Sequence, residues 1–230
     1  MAGETGENMS KAEFRPHTTY TEYPVEEMVQ RSESFYNQVK QRRTVRDFSD
    51  HPVPQEVIEN CIRAASTAPS GANIQPWTFV VVTDQAVKNR IHDAAEEVER
   101  EFYSSEKTKK WVAALEHLGT NEHKPFLKEA PCLITVFAQN YSLLQDGSRM
   151  EHYYVMQSVG IATGILVTAV HNAGLCALTY TPARTKFLND ILSRPSHEKP
   201  FLVLVVGYPK DGVQVPDIGR KALEEVAVFV

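Results

Sequence analysis

Three arginines within five residues, Arg42-Arg43-Thr44-Val45-Arg46, form the densest local charge pattern in the sequence. A guanidinium presents a fixed fork of donors that matches phosphate oxygens. Such a cluster outside any long basic run points to a bound anion. Taken alone, a solvated basic helix end explains it equally well. The usual phosphate cradles are missing from the sequence: there is no GxxxxGK[ST], and no GxGxxG after a strand. Arginines would therefore have to hold any nucleotide, with Arg220 available near the other end of the chain. Further residues of interest follow in Ala68-Pro69-Ser70-Gly71-Ala72 and Gln75-Pro76-Trp77.

A second set lies between them. Glu99 and Tyr103 are four apart and share one helix face. Lys124 follows in a polar segment. A carboxylate, a phenol and an ammonium suit an α-amino acid: Glu99 takes its ammonium, Lys124 its carboxylate, and Tyr103 adds a hydrogen bond. On spacing alone, a surface pair plus an unrelated lysine is the simpler reading. Thr179-Tyr180-Thr181-Pro182 reads as a strand end before a proline turn. Cys61, Cys132 and Cys176 are far apart with no CxxC, and the histidines show no ligand spacing. No metal site or disulfide framework is expected, and buried free thiols fit a reducing compartment.

These groups need a scaffold. The chain has 230 residues, 42% hydrophobic and 23% charged, as in a globular protein. A net charge of -5 argues against a general nucleic-acid binder. Residues 1–10 are polar without a signal peptide. The longest apolar stretch, 159–170, is shorter than the roughly 20 residues that span a bilayer. The expectation is a soluble, cytoplasmic protein, membrane-anchored only as part of a longer chain.

Residues 1–30 read as an extended polar arm over a partner, and 25–40 as helical. Residues 44–54 form a turn-rich link. Pro54 then opens a helix whose apolar stripe is Val57, Ile58, Cys61, Ile62 and Ala65. Residues 77–82 read as a strand. Asp84 caps a helix through Phe102 with Val87, Ile91, Ala94, Val98 and Phe102 inward. Segment 103–130 has no clear core face, which suggests a lid. Strands at 132–137, 175–179 and 201–206 and a short helix at 187–192 complete the pattern. The helix at 151–173 is apolar nearly all round, so a second subunit is expected to cover it. Gly174 stops it. The fold class is α+β, around one sheet.

The start Arg42-Arg43-Thr44-Val45-Arg46 and the segment Pro69-Ser70-Gly71-Ala72-Asn73-Ile74-Gln75-Pro76-Trp77 resemble the nitroreductase-like flavoprotein superfamily. So do Val205-Val206-Gly207-Tyr208-Pro209 and Pro216-Asp217 through Arg220-Lys221. The likeness covers residues 40–230. It implies a central, mostly antiparallel sheet flanked by helices, in an intertwined homodimer with flavin mononucleotide (FMN) at the subunit interface. It divides the chain into an arm, 1–30, and a flavin-binding domain, 31–230, with a substrate lid at about 99–130.

By this resemblance, Arg42, Arg43, Thr44, Val45, Arg46 and Arg220 hold the flavin phosphate and part of the ring. Pro69, Ser70 and Gly71 come from the partner chain. Thr179, Tyr180 and Thr181 line the ring, with the Thr181 hydroxyl at N5 favouring single-electron steps. Tyr180 stands where relatives often carry Thr or His. Glu99, Tyr103 and Lys124 match, one by one, the substrate clamp of the subgroup that removes halide from halotyrosines. Trp111, Thr120-Asn121-Glu122-His123-Lys124-Pro125-Phe126-Leu127 and Arg194-Pro195-Ser196-His197-Glu198-Lys199 strengthen that match. The implied reaction takes iodotyrosines to tyrosine and iodide. The phenolate oxygen would be held by the Ala72 N–H, and the electrons would come from reduced nicotinamide, directly or through a reductase. A general NAD(P)H-dependent nitro- or quinone reductase, and a non-enzymatic flavin-binding dimer, remain the alternatives.

Overall fold

The computed structural model describes residues 12–230; the polar opening at residues 1–10 lies outside them. The chain divides into two compact units, Met1–Asn37 and Gln38–Val230. Helix α1 (Val25–Val39), which starts in the first, begins inside the stretch read as an arm to residue 30. It buries none of its residues. Its turns are tied by an Arg31–Glu27 pair at 2.8 Å, and the Arg31 guanidinium lies 4.0 Å from the Tyr23 ring centre.

The second unit is built on a four-stranded sheet, with strands β1 (Trp77–Val82), β2 (Cys132–Gln139), β5 (Cys176–Tyr180) and β6 (Glu198–Gly207) in the order β1-β2-β6-β5. All its strand pairs are antiparallel. Side chains alternate between its faces. Ile134, Val136, Leu204 and Val206 face α2 (Gln55–Ala65) and α6 (Val155–Asn172). Leu133, Phe137, Val203 and Val205 face α3 (Gln85–Ser104), α5 (Phe126–Glu129) and α7 (Lys186–Ile191). The central strand β2 is covered on both sides, which is why it reads as one apolar run. The link after α1 runs along the sheet edge: Thr44 bridges Ala177 in parallel, and Phe48 bridges Pro209. This fixes the arginine cluster beside β5.

Several expectations shift. Asp84 does cap α3, accepting from the Val87 N–H at 2.9 Å. The buried stripe, however, is Lys88, Ile91, His92, Ala95 and Glu99. Ala94, Val98 and Phe102 are only half-buried. Polar side chains go inward because they have partners; Lys88 Nζ, for instance, donates to the Ala130 carbonyl at 2.8 Å. An apolar-stripe criterion cannot see such a face. Segment 103–130 also holds more helix than expected: 3₁₀ turns at Glu106–Thr108 and Glu116–Leu118 flank α4 (Lys109–Leu115), with α5 beyond.

Glu151 belongs to a hairpin, β3 (Tyr141–Leu143) with β4 (Arg149–Glu151), and not to the following helix. Asp146 Oδ1 accepts from the Ser148 N–H within its turn. The tail adds a short helix, α8 (Leu223–Val226). Gly174, at φ +80°, ends α6 as expected. By length and composition α6 could cross a membrane, yet Val159, Ala162, Leu166 and Val170 are fully buried in the core. Its other side leaves Met156 and Ile161 exposed.

Candidate active site

Arg42, Arg43, Thr44, Arg46, Thr179 and Arg220 line one cavity of about 320 Å3, together with Pro216 and Gly219. Residues near the two ends of the chain meet there because Arg220 donates to the Lys40 and Arg42 carbonyls at 2.8 and 2.7 Å. Arg43 donates to the Pro216 carbonyl. The guanidiniums are thus placed by backbone oxygens. Burial, and then the like charges of Arg220 and Arg43, push the Arg42 guanidinium below its ordinary value. Arginine does not deprotonate in proteins, so this crowding marks a site that favours an anion. A phosphate fits these donors.

Val45 is different. Its side chain is in the core, and its N–H donates to the Ala177 carbonyl at 3.4 Å. Any contact it makes with a ligand must be through the backbone.

Arg46 also lines a second cavity of about 580 Å3, with Thr120, Asn121, His123 and Phe126. It acts electrostatically on Tyr103 and Lys124. Arg46 thus stands between the anion cradle and the segment that carries Lys124. Lys124 Nζ lies 3.3 Å from Glu99 Oε2, and both side chains are buried. The same ammonium donates to the Asn121 carbonyl and lies 5.1 Å from the Tyr103 ring centre. Burial lowers the Lys124 ammonium, while Glu99 pulls it back up. Burial raises the Tyr103 phenol, opposed by its hydrogen bond with Thr120. One turn before Glu99, Glu96 Oε1 accepts the Lys124 backbone N–H at 2.9 Å. That bond anchors the segment to α3, and the sequence reading missed it.

Tyr180 does not face the cavity with Thr179. Strand alternation turns it to the α3 side, where its hydroxyl donates to Glu99 Oε1 at 3.0 Å. Burial, then the Glu99 carboxylate, push its phenol far above the ordinary value, so it stays a donor. Thr181 is exposed just past the end of β5.

The expected Pro69, Ser70, Gly71 and Ala72 line neither cavity. They lie against the start of α6, where the Gly71 N–H meets Ser158 Oγ at 3.3 Å. A Cβ on Gly71 would stand 2.9 Å from the Tyr153 carbonyl oxygen. Ala72, Asn73 and Gln75 all take positive φ, near +50°. Non-glycine residues held this way cost energy and cluster at functional sites. Ser70 Oγ supports the loop by accepting the Gln75 N–H at 2.9 Å. Among the described residues, no group of three or more His, Cys, Asp or Glu could hold a metal ion.

The chain is similar to several known proteins. The nitroreductase family model matches residues 39–208. An iodotyrosine deiodinase of Haliscomenobacter hydrossis is 49% identical over 220 residues, covering 96% of this chain and 98% of that one. The human iodotyrosine deiodinase 1 is 44% identical over 228 residues, covering 99% of this chain and 78% of that one. A crystal structure of oxidized iodotyrosine deiodinase bound to FMN and 3-iodo-L-tyrosine superposes with a TM-score of 0.71 at 31% identity. It covers 85% of this chain and all of that one. With its model spanning most of the folded chain and the sheet, helices and anion cradle in place, the protein belongs to the nitroreductase family.

Proposed function

We propose that the chain is an FMN-dependent oxidoreductase that reductively removes iodide from mono- and diiodotyrosine, giving tyrosine. The observation that carries the reading is the buried Glu99–Lys124 pair, with Tyr103 beside it; His123 and Pro125, on either side of Lys124, line the cavity that Arg46 also lines. A general reducer of nitro compounds needs no buried pair of opposite charges there. An α-amino acid does, because its zwitterion can take the place of each partner.

The arginine cradle fits the flavin phosphate, with Arg42, Arg43, Thr44, Arg46 and Arg220 as donors. Val45 and Tyr180 contribute through the backbone, and Thr179 and Thr181 from the ring side of β5. FMN, when bound, supplies the electrons, delivered singly. Glu99 holds the substrate ammonium, Lys124 its carboxylate, and Tyr103 adds a hydrogen bond. The Ala72 N–H holds the phenolate oxygen. Pro69, Ser70 and Gly71 reach the ring from a second copy of the chain, which fits their absence from the cavity lining within one chain. Residues 99–130 act as the lid of the domain at 31–230, with residues 1–30 as its arm. Substrate bridging Glu99 and Lys124 would close the lid and exclude water. Electrons come from reduced nicotinamide, directly or through a reductase, in a soluble cytoplasmic setting that suits the free thiols.

The test is ligand choice. Mono- or diiodotyrosine should quench the fluorescence of bound flavin, and nitrobenzene should not. Quenching by nitrobenzene alone would favour a general nitroreductase.

A further inference from the structure

Both oxygens of the Glu99 carboxylate are held, but by donors of different kinds. Oε2 faces the Lys124 ammonium at 3.3 Å. Oε1 accepts from the Tyr180 hydroxyl at 3.0 Å. Lys124 belongs to the connection between α4 and α5. Tyr180 ends β5, which is bonded along its length to β6, and its ring meets Phe126 edge-on at 5.7 Å. One donor is fixed to the sheet and the other to a connecting segment.

We infer that Tyr180 is a positioning residue for Glu99, holding the carboxylate in place while a substrate ammonium takes over from Lys124. The inference rests on the proposed function for its substrate class. A zwitterion entering between Glu99 and Lys124 gives Oε2 a new cation and Lys124 a new anion. Oε1 keeps its partner throughout. Without the phenol, the carboxylate would be free to turn with the departing lysine. The flanking residues, Thr179 and Thr181, take the opposite side of the strand end. One short stretch of backbone thus sets the clamp and the ring side of the site together. Its consequence is selective: Tyr180 matters for ligands that carry an ammonium group.

The experiment uses the flavin-loaded protein and follows flavin fluorescence. Wild type, Tyr180→Phe, Glu99→Gln and the double variant are titrated with diiodotyrosine and with its des-amino analogue. A hydrogen bond to a charged group is worth about tenfold or more in affinity. Y180F should therefore weaken diiodotyrosine about tenfold and leave the des-amino ligand unchanged. In the E99Q background the same change should cost nothing further, since the two residues act as a unit. A purely structural role predicts equal losses for both ligands and additive losses in the double variant. Either result overturns the inference, as does a Y180F protein that cannot retain flavin. If wild type binds diiodotyrosine and Y180F binds it equally well, this inference alone fails. If wild type does not bind it at all, the proposed function fails and takes the inference with it.

Discussion

Lys124 Nζ lies 3.3 Å from Glu99 Oε2, and the two side chains are buried against each other. Removing two charges from water costs several kcal/mol each, so such a pair is seldom kept for stability alone. In the proposed function it supplies the two charges that bind an amino-acid zwitterion.

Breaking the pair should separate stability from binding. Lys124→Met leaves the buried Glu99 carboxylate with Tyr180 as its remaining close partner. It should destabilise the protein by about 3 kcal/mol. Adding Glu99→Gln should restore most of that stability and leave halotyrosine binding lost. Urea unfolding and a flavin-fluorescence titration on the two variants would check both parts. A double variant that regains binding would contradict the clamp.

Arg220 spans two carbonyls, those of Lys40 and Arg42, and closes the cradle. Arg220→Ala should weaken FMN at least about tenfold. The remaining affinity should also depend less on ionic strength. Fluorescence of released flavin, measured at two salt concentrations, reads both effects.

Thr181 is exposed just past the end of β5, and the proposed function sets it at the flavin ring. Replacement by Ala should make reduction of the bound flavin proceed in one two-electron step, with flavin affinity little changed. A reductive titration followed by absorbance distinguishes the two courses. An unchanged stepwise reduction would remove Thr181 from its assigned role.

Glu198 gives a pH-dependent prediction away from the site. Burial disfavours its charge, but bonds from Arg194 at 2.7 and 2.8 Å and from Thr78 at 2.9 Å outweigh it. They hold the carboxyl below its ordinary 4.5. A carboxyl lowered on folding adds stability that is full above its unfolded pKa and is lost as pH falls through the folded one. Glu198→Gln should thus cost about 2 kcal/mol near neutral pH. The deficit against wild type should shrink below about pH 4.5. Paired urea midpoints across that range test the sign.

The exposed Ile161 and Met156 on α6 give the proposed dimer a surface. A Cβ on Gly160 or Gly164 would meet nothing within 4 Å in the single chain. Ile161→Glu should yield a monomer that retains little flavin, because Pro69, Ser70 and Gly71 would no longer reach the ring from a partner. Sedimentation and flavin stoichiometry together decide the matter. A flavin-loaded monomer would contradict the shared site.

The sheet was legible in the sequence because β1, β2 and β6 are runs of β-branched residues long enough to stand out. Helix caps with a chemical signature, Asp84 and Gly174, were legible too. The buried face of α3 was not, since Lys88 and Glu99 enter the interior through partners 42 and 81 residues away, and His92 is held by Asp93 and Glu96 on its own helix. Hydropathy carries no information about such pairings. The hairpin of β3 and β4 was missed because its strands are three residues each and mostly exposed. Of the site, the arginines announce themselves by charge. Tyr180 does not, because its role depends on which side of the strand it takes. The segment Arg194 to Lys199, part of the resemblance, proves to be an internal brace around Glu198.

The most direct measurement is anaerobic. The flavin is fully reduced, excess reductant is removed, and one equivalent of diiodotyrosine is added. Flavin reoxidation with release of one iodide per flavin is expected, with no such turnover in Lys124→Met. Reduced flavin that stays reduced in the presence of bound diiodotyrosine would contradict the proposed function.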